Sequence, residues 1–150
     1  MRTSIAKSAG LLLLIGGIGL CLRNTSWSAA PGGNATAPSQ LAQDMIGTWI
    51  LVGEPGAVVE APATGGRLKF FTGRHWCISE ADPTNGVTIF HHGGTYTLSG
   101  DQYAETVEYA NESTKFLIKK TLNFTIKVEG DTLTQIGNGN PWTEVWKRVE

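Results

Sequence analysis

Cysteine is nearly absent from this chain of 150 residues, which carries only Cys21 and Cys77. Cys21 falls in an apolar run near the N-terminus, so if that segment is removed Cys77 stands alone and no internal disulfide can form. A lone thiol of this kind is read as buried and structural. Neither sign of charge is in excess, with 12 Lys and Arg against 13 Asp and Glu, and a near-neutral balance supplies no overall electrostatic footprint for nucleic acid or an anionic membrane. Histidine is confined to positions 75, 91 and 92. A metal site needs three or four converging ligands, and the neighbours His91 and His92 point to opposite faces of a strand, so at most one of them shares a cavity with His75. No metal and no cofactor are expected. A glycine-rich phosphate loop, a Gly-x-Ser-x-Gly elbow, Cys-x-x-Cys and His-Glu-x-x-His are all missing, which leaves any catalytic residue unknown.

A long hydrophobic run is missing too. Arg2 and Lys7 precede an apolar stretch from Leu11 to Leu22, about 12 residues where a bilayer span needs roughly 20. A basic start followed by a short apolar core is the pattern of an export signal, with small residues at Ser26 and Ser28 for cleavage after Ser28. An uncleaved anchor and lipidation at Cys21 are the alternatives. Losing residues 1–28 removes Arg2, Lys7 and Arg23 but no acid, taking the formal charge from −1 to −4. The reading is an exported protein, periplasmic or secreted in a bacterium, without stable membrane insertion after cleavage. Residues 29–42, with Pro31, Gly32, Gly33 and Pro38, have the composition of a flexible linker, so the folded domain is placed at 43–150.

Within that domain no stretch sustains a 3.6-residue apolar period. Short runs rich in Thr, Val, Ile, Tyr, Phe and Trp recur between Gly, Asn, Asp and Pro clusters, which predicts an all-β fold. Strands are expected at about 47–53, 67–72, 74–80, 87–91, 94–99, 102–110, 114–120, 121–129, 131–137 and 142–149. Ser99-Gly100-Asp101 and Glu129-Gly130-Asp131 mark tight hairpins. Phe124, Ile126 and Val128 alternate with Thr125, Lys127 and Glu129, so one face is buried and the other wet. Successive hairpins leave two open edges unless the sheet closes, which favours a small antiparallel up-and-down β-barrel over a Greek-key sandwich.

Gly47-Thr48-Trp49 at the domain start, Glu144-Val145-Trp146-Lys147-Arg148-Val149 at its end, and Gly94-Thr95-Tyr96-Thr97-Leu98-Ser99-Gly100-Asp101-Gln102-Tyr103 between them resemble the bacterial lipocalin-like (calycin-type) domains of uncharacterised function. The resemblance covers roughly residues 44–150. It implies a barrel closed at one end, where the first-strand tryptophan packs against a basic residue of the last strand. Those positions are Trp49 and Arg148, and an indole–guanidinium contact of this kind contributes about 0.5–2 kcal/mol.

Period-two alternation puts Trp142, Glu144, Trp146 and Arg148 on one face of the last strand, and Tyr103, Glu105, Val107 and Tyr109 on one face of the strand at 102–110. A carboxylate such as Glu105 on a core face needs a donor, for which Arg148 or a tyrosine hydroxyl is available. Two functions stay open. In the first, the barrel binds a small apolar or amphipathic molecule, with Trp49, Tyr96, Tyr103, Tyr109 and Trp146 as wall, His75 nearby, and Glu105 and Arg148 fixing the polar end. In the second, a small-barrel lyase or isomerase uses Glu105 or His75 as general base. An envelope interaction protein without a ligand is a further alternative.

Overall fold

The computed structural model describes residues 37–149. Residues 1–28, read above as an export signal, and most of the stretch read as a linker lie outside the described residues. The first element is a six-residue helix, α1 (Gln40–Met45), started by the Ser39 hydroxyl, which accepts from the Ala42 N–H at 3.2 Å. It begins inside the stretch read as linker, because Leu41 and Met45 provide an apolar face that packs on the barrel core.

Nine strands follow: β1 (Gly47–Glu54), β2 (Ala57–Val58), β3 (Arg67–Phe71), β4 (His75–Ala81), β5 (Thr88–Ser99), β6 (Gln102–Ala110), β7 (Thr121–Glu129), β8 (Thr132–Gly137) and β9 (Glu144–Val149). Each long strand pairs antiparallel with the next in the chain, and β1 pairs with both β3 and β9. The two-residue β2 only folds back on the end of β1, so the other eight strands form a closed up-and-down barrel with no free edge between β1 and β9.

Two expected strands, 87–91 and 94–99, are a single twelve-residue β5 that turns a corner at Gly93 and Gly94. There Gly93 faces Tyr109 and Gly94 faces Val107, leaving Glu108 as an extra residue on β6. A Cβ on Gly94 would lie 2.1 Å from the Thr106 carbonyl oxygen, so only glycine lets the two backbones approach this closely. The expected strand at 114–120 is instead a tight loop with a 3-10 turn (Lys115–Leu117). Most of its amides bond locally, Leu117 N–H to Thr114 O at 2.9 Å and Lys120 N–H to Leu117 O at 2.9 Å, and only its end meets a strand, where Lys119 and Lys120 bond to Val107 of β6.

One end of the barrel is closed. Trp49 is fully buried, its indole N–H donating to Met45 O at 2.9 Å, and the Arg148 guanidinium lies 4.1 Å over its ring. The same guanidinium donates to Asp44 O at 2.7 Å and Ile46 O at 3.1 Å, tying α1 to β9. The expected Trp–Arg plug is therefore present. The loops β4–β5, β6–β7 and β8–β9 gather at the opposite end, which is the mouth. Among the described residues no helix is long and apolar enough to cross a membrane.

Candidate functional site

Midway down the barrel sits a buried charged cluster. Alternation along Arg67-Leu68-Lys69-Phe70-Phe71 sends Lys69 inward beside Phe71, and its side chain is 0% exposed. Its ammonium forms a close ion pair with Glu105 and donates to Gln135 Oε1 at 2.7 Å. The Tyr103 hydroxyl donates to Glu105 Oε1 at 2.8 Å. Around the ammonium stand the rings of Trp76, Phe71, Trp146, Tyr103 and Phe124, with centroids 5.2 to 5.9 Å away. Burial, and then the negative charge of Glu105, hold the Tyr103 hydroxyl well above its ordinary pKa, so it stays a donor.

Above this floor, towards the mouth, lies a cavity of about 90 Å³. Its apolar walls include Ile78, Phe90, Phe116, Leu117, Leu122 and Trp142. Polar groups reach it from three sides as Arg67, His92 and Glu144. Arg67 is paired, its guanidinium 2.8 Å from Glu80 and stacked 3.9 Å over the Phe90 ring. His92 and Glu144 are not. The His92 ring is buried edge-on between Trp76 and Phe90, at 5.3 and 5.0 Å, and its Nδ1 has no hydrogen-bond partner. Burial, helped by the Lys69 and Arg67 charges, pulls the imidazole down to about 4, so it is neutral at ordinary pH. Burial also pushes the Glu144 carboxyl up from its ordinary value, against the opposing pull of Lys69. Two fixed cations are thus already balanced inside the protein, while an imidazole and a carboxyl face the cavity with spare hydrogen-bonding capacity.

Of the residues expected to form a site, only Glu105 lines this cavity. Tyr103 supports it from below. Trp146 is fully buried in the core, its indole N–H lacking a partner. Tyr96 packs against Phe71 and Tyr103 and donates to Thr72 O at 2.7 Å at the closed end. Trp49 and Arg148 form the plug at the closed end, away from this cavity, and the partner of Glu105 is Lys69 rather than Arg148. His75 is exposed at the start of β4, by the closed end and away from the mouth. Tyr109 is 46% exposed on the outer face, because the extra residue Glu108 flips the alternation after Val107; there its hydroxyl meets the Cys77 thiol, whose pKa burial raises. His91 and His92 do point to opposite faces, His91 stacking outside on Tyr109 at 5.6 Å. Among the described residues no three His, Cys, Asp or Glu side chains converge to hold a metal ion.

Lys69, Gln135, His92, Glu144 and Arg67 carry most of the polar character of the interior, and the sequence reading selected none of them as a ligand contact. A signal existed for three. In Arg67-Leu68-Lys69-Phe70-Phe71 the inward face is set by Phe71, which puts Lys69 and Arg67 inside; Glu144 shares its face with Trp142 and Trp146.

No family model and no curated protein matches the sequence. Solved structures that share the fold include two bacterial proteins. One is a lipocalin-like protein from Bacteroides uniformis, 12% identical, TM-score 0.53, covering 71% of this chain and 99% of that one. The other is an uncharacterized protein from Bacteroides eggerthii, 13% identical, TM-score 0.51, covering 70% and 99%. The barrel is lipocalin-like in fold.

Proposed function

We propose that this chain is an exported small-molecule-binding protein whose mouth takes the polar end of a small amphipathic molecule. The observation that carries the reading is a cavity lined by His92, a buried imidazole whose Nδ1 has no partner, beside apolar walls. Buried polar atoms are nearly always satisfied, and a ligand hydroxyl or amide supplies the partner that His92 lacks while Glu144 stands beside it in the cavity wall. The ligand head is uncharged on this account, because Arg67 and Lys69 are already neutralised by Glu80 and Glu105, so an anion would go unpaired, and burial pushes the Glu144 carboxyl towards its neutral form, which favours a neutral head over a cation. About 90 Å³ is well below the roughly 300 Å³ of a drug-sized pocket, so the ligand is short or enters by one end only. The basic start and short apolar run at 1–28 support export.

The catalytic alternative is less well served. Glu105 is engaged by Lys69 and Tyr103, and His75 is at the far end of the barrel.

Calorimetric titration with short-chain alcohols, amides, carboxylates and amines of matched length tests the reading. Alcohols or amides should bind saturably and best, and His92→Leu should weaken them about fivefold, the worth of one hydrogen bond. Absence of binding by every member, or preference for a charged head, overturns it.

A further inference from the structure

We propose that the rim of the mouth, centred on the β6–β7 loop, docks on an anionic lipid surface. In Lys115-Phe116-Leu117-Ile118-Lys119-Lys120, Leu117 is buried and anchors the loop, while Phe116 and Ile118 are 59% and 39% exposed. Their exposure is built in. The loop is closed by Lys119 N–H to Val107 O at 2.8 Å and Val107 N–H to Lys120 O at 3.0 Å. Lys119 also holds a left-handed φ of 67°, unique to it among the described non-glycine residues. Such backbone costs energy and persists only where the surroundings impose it. The same loop is stitched to β5 by Ser113 Oγ donating to Ile89 O at 2.8 Å, and Ile89 and Val87 are exposed there as well.

Charge decides what such an apolar rim fits. Lys115 is neutralised by Glu112. Lys119 and Lys120 have no carboxylate partner among the described residues, and Lys120 lies over the Phe116 ring at 5.4 Å. An exposed phenylalanine and isoleucine beside two unpaired lysines form a small interfacial anchor, apolar groups entering the acyl boundary while ammonium groups meet lipid phosphates. The net charge, −1 for the whole chain and −4 without residues 1–28, does not cancel this local field, since such fields act within about 10 Å. Phe116 and Leu117 also line the cavity, so docking would set the mouth against the membrane.

The test reads position 116 locally in the full chain, because the apolar run at 11–22 is itself able to attach to vesicles. Phe116→Trp and, at the opposite end, Lys127→Trp are each mixed with vesicles of brominated lipid, either phosphatidylcholine alone or with phosphatidylglycerol. The proposal expects quenching beyond the native background for Phe116→Trp only, and only with phosphatidylglycerol. Adding Lys119→Gln and Lys120→Gln should weaken that response roughly 25-fold, about fivefold per lysine, while leaving alcohol and amide titrations in the absence of vesicles unchanged. Quenching at neither position, equal quenching at both, equal quenching on neutral lipid, or indifference to the lysine changes overturns the docking surface. None of those results touches the ligand-binding reading, which fails only in the titration.

Discussion

Lys69 and Glu105 form an ion pair inside the barrel, and both partners are otherwise satisfied: Gln135 accepts from the ammonium at 2.7 Å and Tyr103 donates to the carboxylate at 2.8 Å. Pairs of this kind are tolerated rather than strongly stabilising, because desolvation offsets most of their attraction. Here the cost is reduced by an aromatic surround that presents ring faces to the cation.

Removing one partner should therefore be severe and removing both mild. Lys69→Met or Glu105→Leu alone is expected to cost about 3–5 kcal/mol by stranding a buried charge, whereas the double variant should lie within about 1 kcal/mol of wild type. Urea unfolding of the four proteins measures this coupling. Single variants that cost under about 1 kcal/mol would show the pair to be energetically idle.

The plug predicts a different pattern. Arg148→Lys keeps the charge but loses the guanidinium plane over Trp49 and the two-carbonyl fork to Asp44 and Ile46. A loss of about 1–3 kcal/mol is expected from the cation–π contact and charged hydrogen bonds. Hydrogen exchange should rise first in α1, which the arginine holds down.

At the corner of β5 the expected outcome is set by backbone geometry. Gly94→Ala places a methyl against the Thr106 carbonyl and the Glu108 amide, so it should cost more than about 2 kcal/mol, in the range of strain and overpacking defects. Gly100→Ala in the neighbouring hairpin meets nothing within 4 Å and costs only the strain of its φ of 62°. Thermal melts of the two variants separate these cases.

Acid should act on the cavity through two groups of opposite sign. The folded pKa of His92 is depressed from 6.5 to about 4, so between those values the unfolded chain binds the extra proton and stability is lost as pH falls. The folded pKa of Glu144 is raised, so its burden on the fold is present at high pH and lifts as pH drops through that pKa. Accordingly His92→Leu should lose less stability than wild type between pH 7 and about 4.5, and Glu144→Gln should lose more. Urea midpoints across that window check both signs.

How far the sequence carried the structure depended on alternation. Phe124 and Ile126 are buried and Val128 packs against the core beside them, as their period requires, and the hairpins at Gly100 and Gly130 turn where glycine allows a positive φ. The barrel and its plug were legible for that reason. Alternation failed at Tyr109, where one unpaired residue reverses the faces, and a bulge depends on how close two backbones come rather than on side-chain pattern. Leu117 was misplaced because a short apolar run reads alike as a strand or as a loop with one anchored residue. Lys69 was overlooked because a lysine suggests solvent, and only its partners across the barrel, 36 and 66 residues away in sequence, make its burial affordable.

The central claim is that the unpartnered His92 nitrogen receives the head of a small amphipathic ligand. Long-range ¹H–¹⁵N correlation spectra of the histidine rings, recorded during titration with a short-chain amide, test it most directly. The account predicts that the His92 ring nitrogens shift saturably while those of His75 and His91 stay still, and that Glu144→Gln alters the His92 response. Shifts of all three rings together, or a His92 signal unmoved at concentrations where calorimetry reports saturation, would contradict it.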